Sequence, residues 1–267
     1  MKRLLMIEFV IALLFPAFAA AQSDFDGTWK IDLSKSVPPT EPEMFLLQNG
    51  MYHCKTCVPK IDVKADGQDQ NVAGNPYYDT ISIKVLDDRS IQETEKKDGK
   101  IVKTSKMTVS GEGNSATVEI NDNTQSNRDP VTGKLDLTRP PKAKRPPTGS
   151  HAVSGSWRIS KMTDFSDNAL TFTLKVEGDS LTMTTPTGQS YTAKLDGTEA
   201  PYKGDTGTSS VSVLRLGEHT FMETDRRGTK SVRSARMMIM PGSTKTMNLI
   251  VSDLLQESSF VFVAEKQ

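Results

Sequence analysis

The chain has 267 residues with 33 basic and 33 acidic side chains, so its formal net charge is zero and it offers no electrostatic basis for gripping a nucleic-acid backbone. With 36% hydrophobic residues and a mean hydropathy of −0.44 it can bury a core, but it is not a multi-span helical membrane protein. Three histidines, two cysteines and two tryptophans leave little material for a metal cluster or a histidine-based catalytic centre, so the chain is read as a non-enzyme with no cofactor.

Residues 1–21 carry the marks of an export signal. Met1, Lys2 and Arg3 form a basic start, an apolar run from Leu4 to Phe18 is broken only by Glu8, and Ala19, Ala20 and Ala21 precede the polar Gln22. The apolar run is shorter than the roughly 20 residues of a spanning helix. A protein free in the bacterial periplasm or secreted medium is expected, with no membrane insertion after cleavage.

The first predicted strand opens at Gly27-Thr28-Trp29. Next comes Cys54-Lys-Thr-Cys57, the one constellation with intrinsic chemistry. In an oxidising compartment two thiols at this spacing close a small disulfide. A redox pair is a second reading, although nothing around residue 54 reads as the helix N-terminus that stabilises a thiolate. Zinc is a third, with His53 as one more ligand and no fourth evident. Tyr77-Tyr78 after Asn75-Pro76 reads as a turn with a packed ring. Short β-branched runs follow, such as Thr80–Val85 and Ala116–Ile120, separated by Asp66-Gly67, Asp98-Gly99 and Gly111-Glu-Gly113, which are hairpin turns between antiparallel strands. Glu93 and Glu95 would share one strand face, which superficially suggests an acid and base pair. The basic residues and turn that follow favour a solvated hairpin with cross-strand ion pairs.

Residues 140–150 lie in a basic, proline-dense stretch starting at Arg139 that cannot sit in a central strand and reads as a linker. Beyond it the sequence repeats. Leu86–Met107 aligns without a gap to Leu216–Met237 at a shift of 130, with Glu93, Thr94, Lys100, Val102 and Met107 recurring as Glu223, Thr224, Lys230, Val232 and Met237. Glu95 and Lys103 become Asp225 and Arg233, while Cys54 and Cys57 fall on Thr184 and Thr187. Near the start the shift is 128, matching Gly27 and Trp29 to Gly155 and Trp157. Residues 22–139 and 151–267 are therefore expected to form one barrel each, of about eight strands, since closure hides sheet edges. A single helical turn is possible at Ser252–Glu257.

The paired Gly-x-Trp openings resemble the start of lipocalins and other calycins, and the whole chain looks like a group of secreted bacterial proteins with this duplicated arrangement, which implies no activity. The lipocalin resemblance implies two tandem all-β, antiparallel, up-and-down barrels, each with its tryptophan plugging the closed end. It also implies a basic residue on the last strand against that tryptophan. Arg139 takes this place for the first copy and Lys266 for the second, making Gly27, Trp29, Arg139, Gly155 and Trp157 the barrel-closing set. A small apolar ligand in such a barrel is the leading expectation, with Phe172, Leu174, Met183, Phe221 and Met237 as candidate lining. The alternatives are an envelope structural or interaction module with filled barrels, whose protein partner is unknown, and a thiol redox protein using Cys54 and Cys57.

Overall fold

The computed structural model describes residues 23–124 and 129–267, so the predicted signal at residues 1–21 lies outside the described residues. The chain is all-β. Strand β1 (Gly27–Val37) is followed by β2 (Glu43–Gln48), β3 (Met51–Cys54), β4 (Ile61–Lys64) and β5 (Gln70–Asn71). Then come β6 (Thr80–Asp87), β7 (Ser90–Lys97), β8 (Lys100–Val109), β9 (Ser115–Asp122) and β10 (Val131–Thr138). The second half repeats the series as β11 (Gly155–Thr163), β12 (Thr171–Glu177), β13 (Ser180–Thr184), β14 (Ser190–Lys194) and β15 (Asp196–Pro201). It ends with β16 (Ser210–Gly217), β17 (Thr220–Arg227), β18 (Lys230–Ile239), β19 (Thr246–Asp253) and β20 (Ser258–Lys266). One four-residue helix, α1 (Asp167–Leu170), precedes β12. The helical turn expected at Ser252–Glu257 is instead the end of β19 and a tight turn. Asp253 Oδ1 accepts from the backbone N–H groups of Leu255 and Gln256 there, an alternative to helix that short acidic side chains offer the chain.

These strands make two nearly closed antiparallel sheets of ten strands each, two more than expected. The expectation of one barrel per repeat also needs correction. One sheet is the unbroken run β2 to β11; the other is β12 to β20 with β1 inserted between β12 and β20. Each repeat thus gives its first strand to the other's barrel. The contiguous barrel spans 43–163, and the split barrel combines 27–37 with 171–266. Residues 140–150 are consequently no linker between barrels. They join β10 to β11, which are neighbours in the contiguous barrel. Sequence periodicity identified equivalent strands but carries no information about which copy a strand pairs with.

The exchanged strands occupy equivalent registers. Gly27 lies opposite Leu174, and Gly155 lies opposite Phe45. In the split barrel the seam between β14 and the segment after β15 is closed by one bridge, Ser190 N to Lys203 O at 3.0 Å and Lys203 N to Ser190 O at 2.9 Å. The contiguous barrel uses a side chain at its seam: Gln70 Oε1 accepts from Lys64 N at 2.8 Å, and Gln70 Nε2 donates to Lys64 O at 2.7 Å. An amide side chain here stands in for a peptide group and satisfies the end of an edge strand.

Exchange fixes how the barrels adjoin. β1 runs from its tryptophan end to Val37, and β2 enters the other barrel running toward that barrel's own tryptophan end, where Ser154 hydrogen-bonds Leu47. β11 and β12 retrace this course in reverse, so both crossovers join the two ends remote from the tryptophans. Tyr77 touches Gly207 in this region; a methyl group on Gly207 would lie 2.0 Å from the phenol oxygen. Gly207 is the repeat counterpart of Tyr77, so only the absence of a side chain in one copy admits the ring of the other.

Trp29 is fully buried between β12 and β20. Trp29→Ala is expected to cost about 3–5 kcal/mol. In hydrogen exchange of the full chain the loss of protection should fall on β12 and β20, not on β2–β10. Deprotection centred on β2–β10 would contradict the exchanged topology.

Candidate functional site

At the tryptophan ends the sequence-derived closing set is assembled with its partners exchanged. Arg139 lies over Trp157, guanidinium carbon 3.9 Å from the ring centroid, and Lys266 Nζ lies 5.0 Å from the centre of Trp29. The expected pairing of Arg139 with Trp29 and of Lys266 with Trp157 is thereby corrected, for the same reason as the domains. A cation over an aromatic face gains from the ring quadrupole. Each indole N–H also donates to a backbone carbonyl four residues upstream at 2.8 Å, Trp29 to Phe25 and Trp157 to Val153. Arg139 spreads its donors over Gly113 O, Ser154 O and Ala152 O, and Lys266 donates to Asp24 O. The glycine two residues before each tryptophan has a physical reason. Gly27 and Gly155 have φ of 129° and 113°, and a Cβ on Gly155 would stand 2.4 Å from Arg139 Nη1.

The candidate pocket residues are all in the split barrel. Leu174, Met183, Phe221 and Met237 are 1%, 8%, 0% and 3% exposed and belong to one core with Trp29, Phe25 and Met247. Phe221 stacks on Phe25 with ring centres 4.0 Å apart. Phe172 is half-buried against the edge of this core, as are Val251 and Phe262.

Cys54 and Cys57 are bonded, with sulfurs 2.03 Å apart, across the turn after β3. Register refines the repeat equivalence: Cys54 faces Ile61 and Met183 faces Tyr191, so Met183 rather than Thr184 is the counterpart of Cys54. Where one barrel ties this turn covalently, the other uses hydrogen bonds, Thr185 and Thr187 both donating to Gln189 Oε1 at 2.7 and 2.6 Å. His53 pairs with Asp62 at 2.5 Å, and no group of three or more metal-ligating side chains is gathered among the described residues. His151 contacts the Asp87 carbonyl, and His219 lies 3.6 Å from Asp24.

The acid pairs are where sequence reasoning went furthest astray. Ion pairs do cross the strands, since Asp225 stands opposite Arg233 and Glu95 opposite Lys103. The hairpins are not solvated there: Asp225, Glu223 and Glu95 are 0%, 7% and 5% exposed and point into the barrels. On β17 burial alternates, placing Phe221, Glu223 and Asp225 on one inward face. Arg233 Nη2 and Nε lie 2.5 and 2.6 Å from Asp225 Oδ2; Tyr191 Oη donates to Glu223 Oε2 at 2.5 Å; and Tyr202 Oη is 3.5 Å from Arg233. In the contiguous barrel Lys103 Nζ meets Glu95 Oε1 at 3.3 Å, with buried Tyr52 and Tyr78 in electrostatic reach of Glu93.

Burial, reinforced by the neighbouring Asp225 carboxylate, pushes the Glu223 carboxyl up to about 8. Burial pushes Glu95 up to about 7; Lys103 opposes this and Glu93 adds to it. Desolvation is the largest single influence on either cation and works against it, but Asp225, Tyr202 and Glu223 together outweigh it for Arg233, as Glu95, Glu93 and Asp122 together do for Lys103, and both stay charged. Position two-apart acids followed by bases is a pattern shared with any exposed hairpin. The alternation of Phe221 and Met237 with their polar neighbours was the one available sign that this face turns inward.

No known protein family, curated protein or solved structure matches this chain.

Arg233→Ala would leave Asp225 buried without its cation and is expected to cost on the order of 3 kcal/mol, read as a fall in denaturation midpoint. Replacing both Cys54 and Cys57 by serine releases a four-residue loop. The expected loss is about 2 kcal/mol by loop-closure entropy, with the barrel topology unchanged by circular dichroism. Loss of folding altogether would show that this turn organises more than itself.

Proposed function

We propose that the protein is an exported, non-enzymatic module of calycin type whose barrels are filled and which acts by engaging another macromolecule. Export rests on the basic and apolar start of the chain with its small-residue end. Kinship with calycins is supported by each Gly-x-Trp opening and the cation over its indole. The observation that carries the filled-barrel reading is packing. Residues whose pattern offered a ligand pocket instead interlock with Trp29 and Phe25 in the split barrel's core. Two concavities lie along the strands, one along β1 and β20 and another across β8, β9 and β10, the latter mostly lined by polar side chains. An apolar carrier would present the reverse arrangement.

A second reading, carriage of a small apolar ligand, is favoured by Phe172, Val251 and Phe262, which are incompletely covered beside the core. A redox role for Cys54 and Cys57 has weaker support, because the first cysteine ends a strand and is 2% exposed, with no helix to stabilise its thiolate.

Met183→Trp separates the two leading readings. In a filled barrel the added bulk overpacks the core and destabilises by about 1–3 kcal/mol. Tolerance of this substitution, together with a stoichiometric small-molecule adduct in native mass spectra of wild-type protein from its own host, would establish carriage instead.

A further inference from the structure

We infer that the split barrel is latched at its crossover end by a pair of carboxyl groups sharing one proton, Glu223 with Asp225, so that acidification tightens this end and mild alkalinity loosens it. The inference stands apart from whether the barrels carry a ligand.

The geometry of the split barrel leads to it. Asp225 Oδ2 is taken by Arg233, while Asp225 Oδ1 is sealed from solvent and receives no hydrogen bond from any nitrogen or hydroxyl among the described residues. A buried carboxylate oxygen without a donor is costly. The Glu223 carboxyl, two residues away on the same inward face, supplies a donor when protonated. Its own Oε2 already accepts from Tyr191, leaving Oε1, which lies 4.0 Å from Arg233, to hold the proton. Two ionised acids here would face a single guanidinium with their own side chains buried, whereas one proton makes the cluster neutral.

The charged and titratable groups facing this pair are few. Tyr191 comes from β14, Tyr202 and Asp205 from the loop after β15, and Arg233 from β18, with Asp253 of β19 opposite Arg233. The facing residues of β16, Val211 and Val213, carry no charge. The duplicate has Lys103 from β8, Tyr52 from β3, Tyr78 before β6, Asp122 of β9 opposite Lys103, and Glu43 at the start of β2. Two acids two residues apart, one cross-strand cation and two buried phenols recur in both barrels, although the phenols come from non-equivalent positions.

The sign follows from linkage. A carboxyl whose folded value lies above its unfolded value binds its proton in the closed state and releases it on opening, so closure is strongest in acid and weakens as pH rises. Opening should increase by up to tenfold per pH unit from the ordinary carboxyl range to about pH 8 in the split barrel, then level off.

The test is hydrogen exchange of the full mature protein, corrected for intrinsic rates, at residues 184–189 and 201–209 across this range, in wild type and Glu223→Gln. The glutamine amide accepts from Tyr191 and donates to Asp225 without titrating. Wild type should show the pH-dependent rise and the variant a flat response; equal slopes in both overturn the inference. Should the variant not fold, carbon-13 titration of the wild-type side chains decides. A Glu223 carboxyl that titrates in the ordinary range refutes the latch, and one that titrates near pH 8 supports it.

Discussion

The antiparallel pairing of β1 between β12 and β20 is the constraint on which the rest of the molecule depends. A sheet of nine strands from one stretch of chain leaves two edges with unpaired peptide groups, and the strand that closes them here arrives from the far side of an entire barrel. The contiguous barrel is thereby stitched into the path between β1 and β12. Its crossovers are short, residues 38–42 and 164–170, and the second is pinned: Ser166 N donates to Thr132 O, and Asn168 donates to Asp129 O. Lys30 and Asp167 add an ion pair at 2.8 Å between β1 and α1. Opening either seam therefore strains a connection that the other barrel holds, and the two units cannot be independent folding domains in the sense their sequences suggest.

Within this frame the copies preserve where a polar atom stands more faithfully than which residue supplies it. Asp26 Oδ1 accepts from Val176 N at 2.6 Å, and Ser154 Oγ, its counterpart, accepts from Leu47 N at 2.9 Å. Lys96 pairs with Asp69, and Arg226 with Glu199. Asn75 and Asp205 each accept from the backbone N–H two residues on. The first and last of these keep a backbone donor satisfied while the side chain changes, which is what buried or half-buried strand ends demand. The disulfide after β3 and the threonine–glutamine bonds after β13 extend the same logic from hydrogen bonds to a covalent one.

Much of this was legible before any coordinates. The 130-residue shift located equivalent strands, Asp-Gly and related turns marked the hairpins, and Gly27-Thr28-Trp29 with Gly155-Ser156-Trp157 marked the closing strands. Arg139 and Lys266 were found by analogy, but each was given to the wrong tryptophan, because an internal repeat is silent on whether partners come from the same copy. The pairing was available only from the chain's path: Arg139 ends the strand beside β11, and that adjacency needed the sheet order. The acid pairs were misjudged for a different reason. Charge at alternate positions usually marks a solvated strand face, and burial reverses this only when a cation and hydrogen-bond donors converge from strands distant in sequence, as Tyr191 and Arg233 do on Glu223 and Asp225.

That convergence explains how the two ends of each barrel divide their roles. The tryptophan ends are secured by large apolar surfaces, an indole hydrogen bond and a cation over the ring. The crossover ends bury acids, and a buried charge cluster is seldom the most stable way to fill space; a well-packed apolar group often does as well or better. Its advantage lies in discrimination, since a misregistered strand would strand a carboxylate in a dry interior, and a one-residue slip of β17 would turn Glu223 and Asp225 outward while burying Met222 and Thr224. Two barrels of near-identical strands that must exchange one strand apiece have many wrong pairings open to them. The tyrosines make the case: Tyr191 hydrogen-bonds Glu223 and Tyr202 lies beside Arg233 in one barrel, while Tyr52 and Tyr78 are buried within electrostatic reach of Glu93 in the other, positions unrelated by the repeat. What both copies keep is a buried acid paired with a cross-strand cation beside two buried phenols, which argues that correct pairing at the crossover ends constrained both copies.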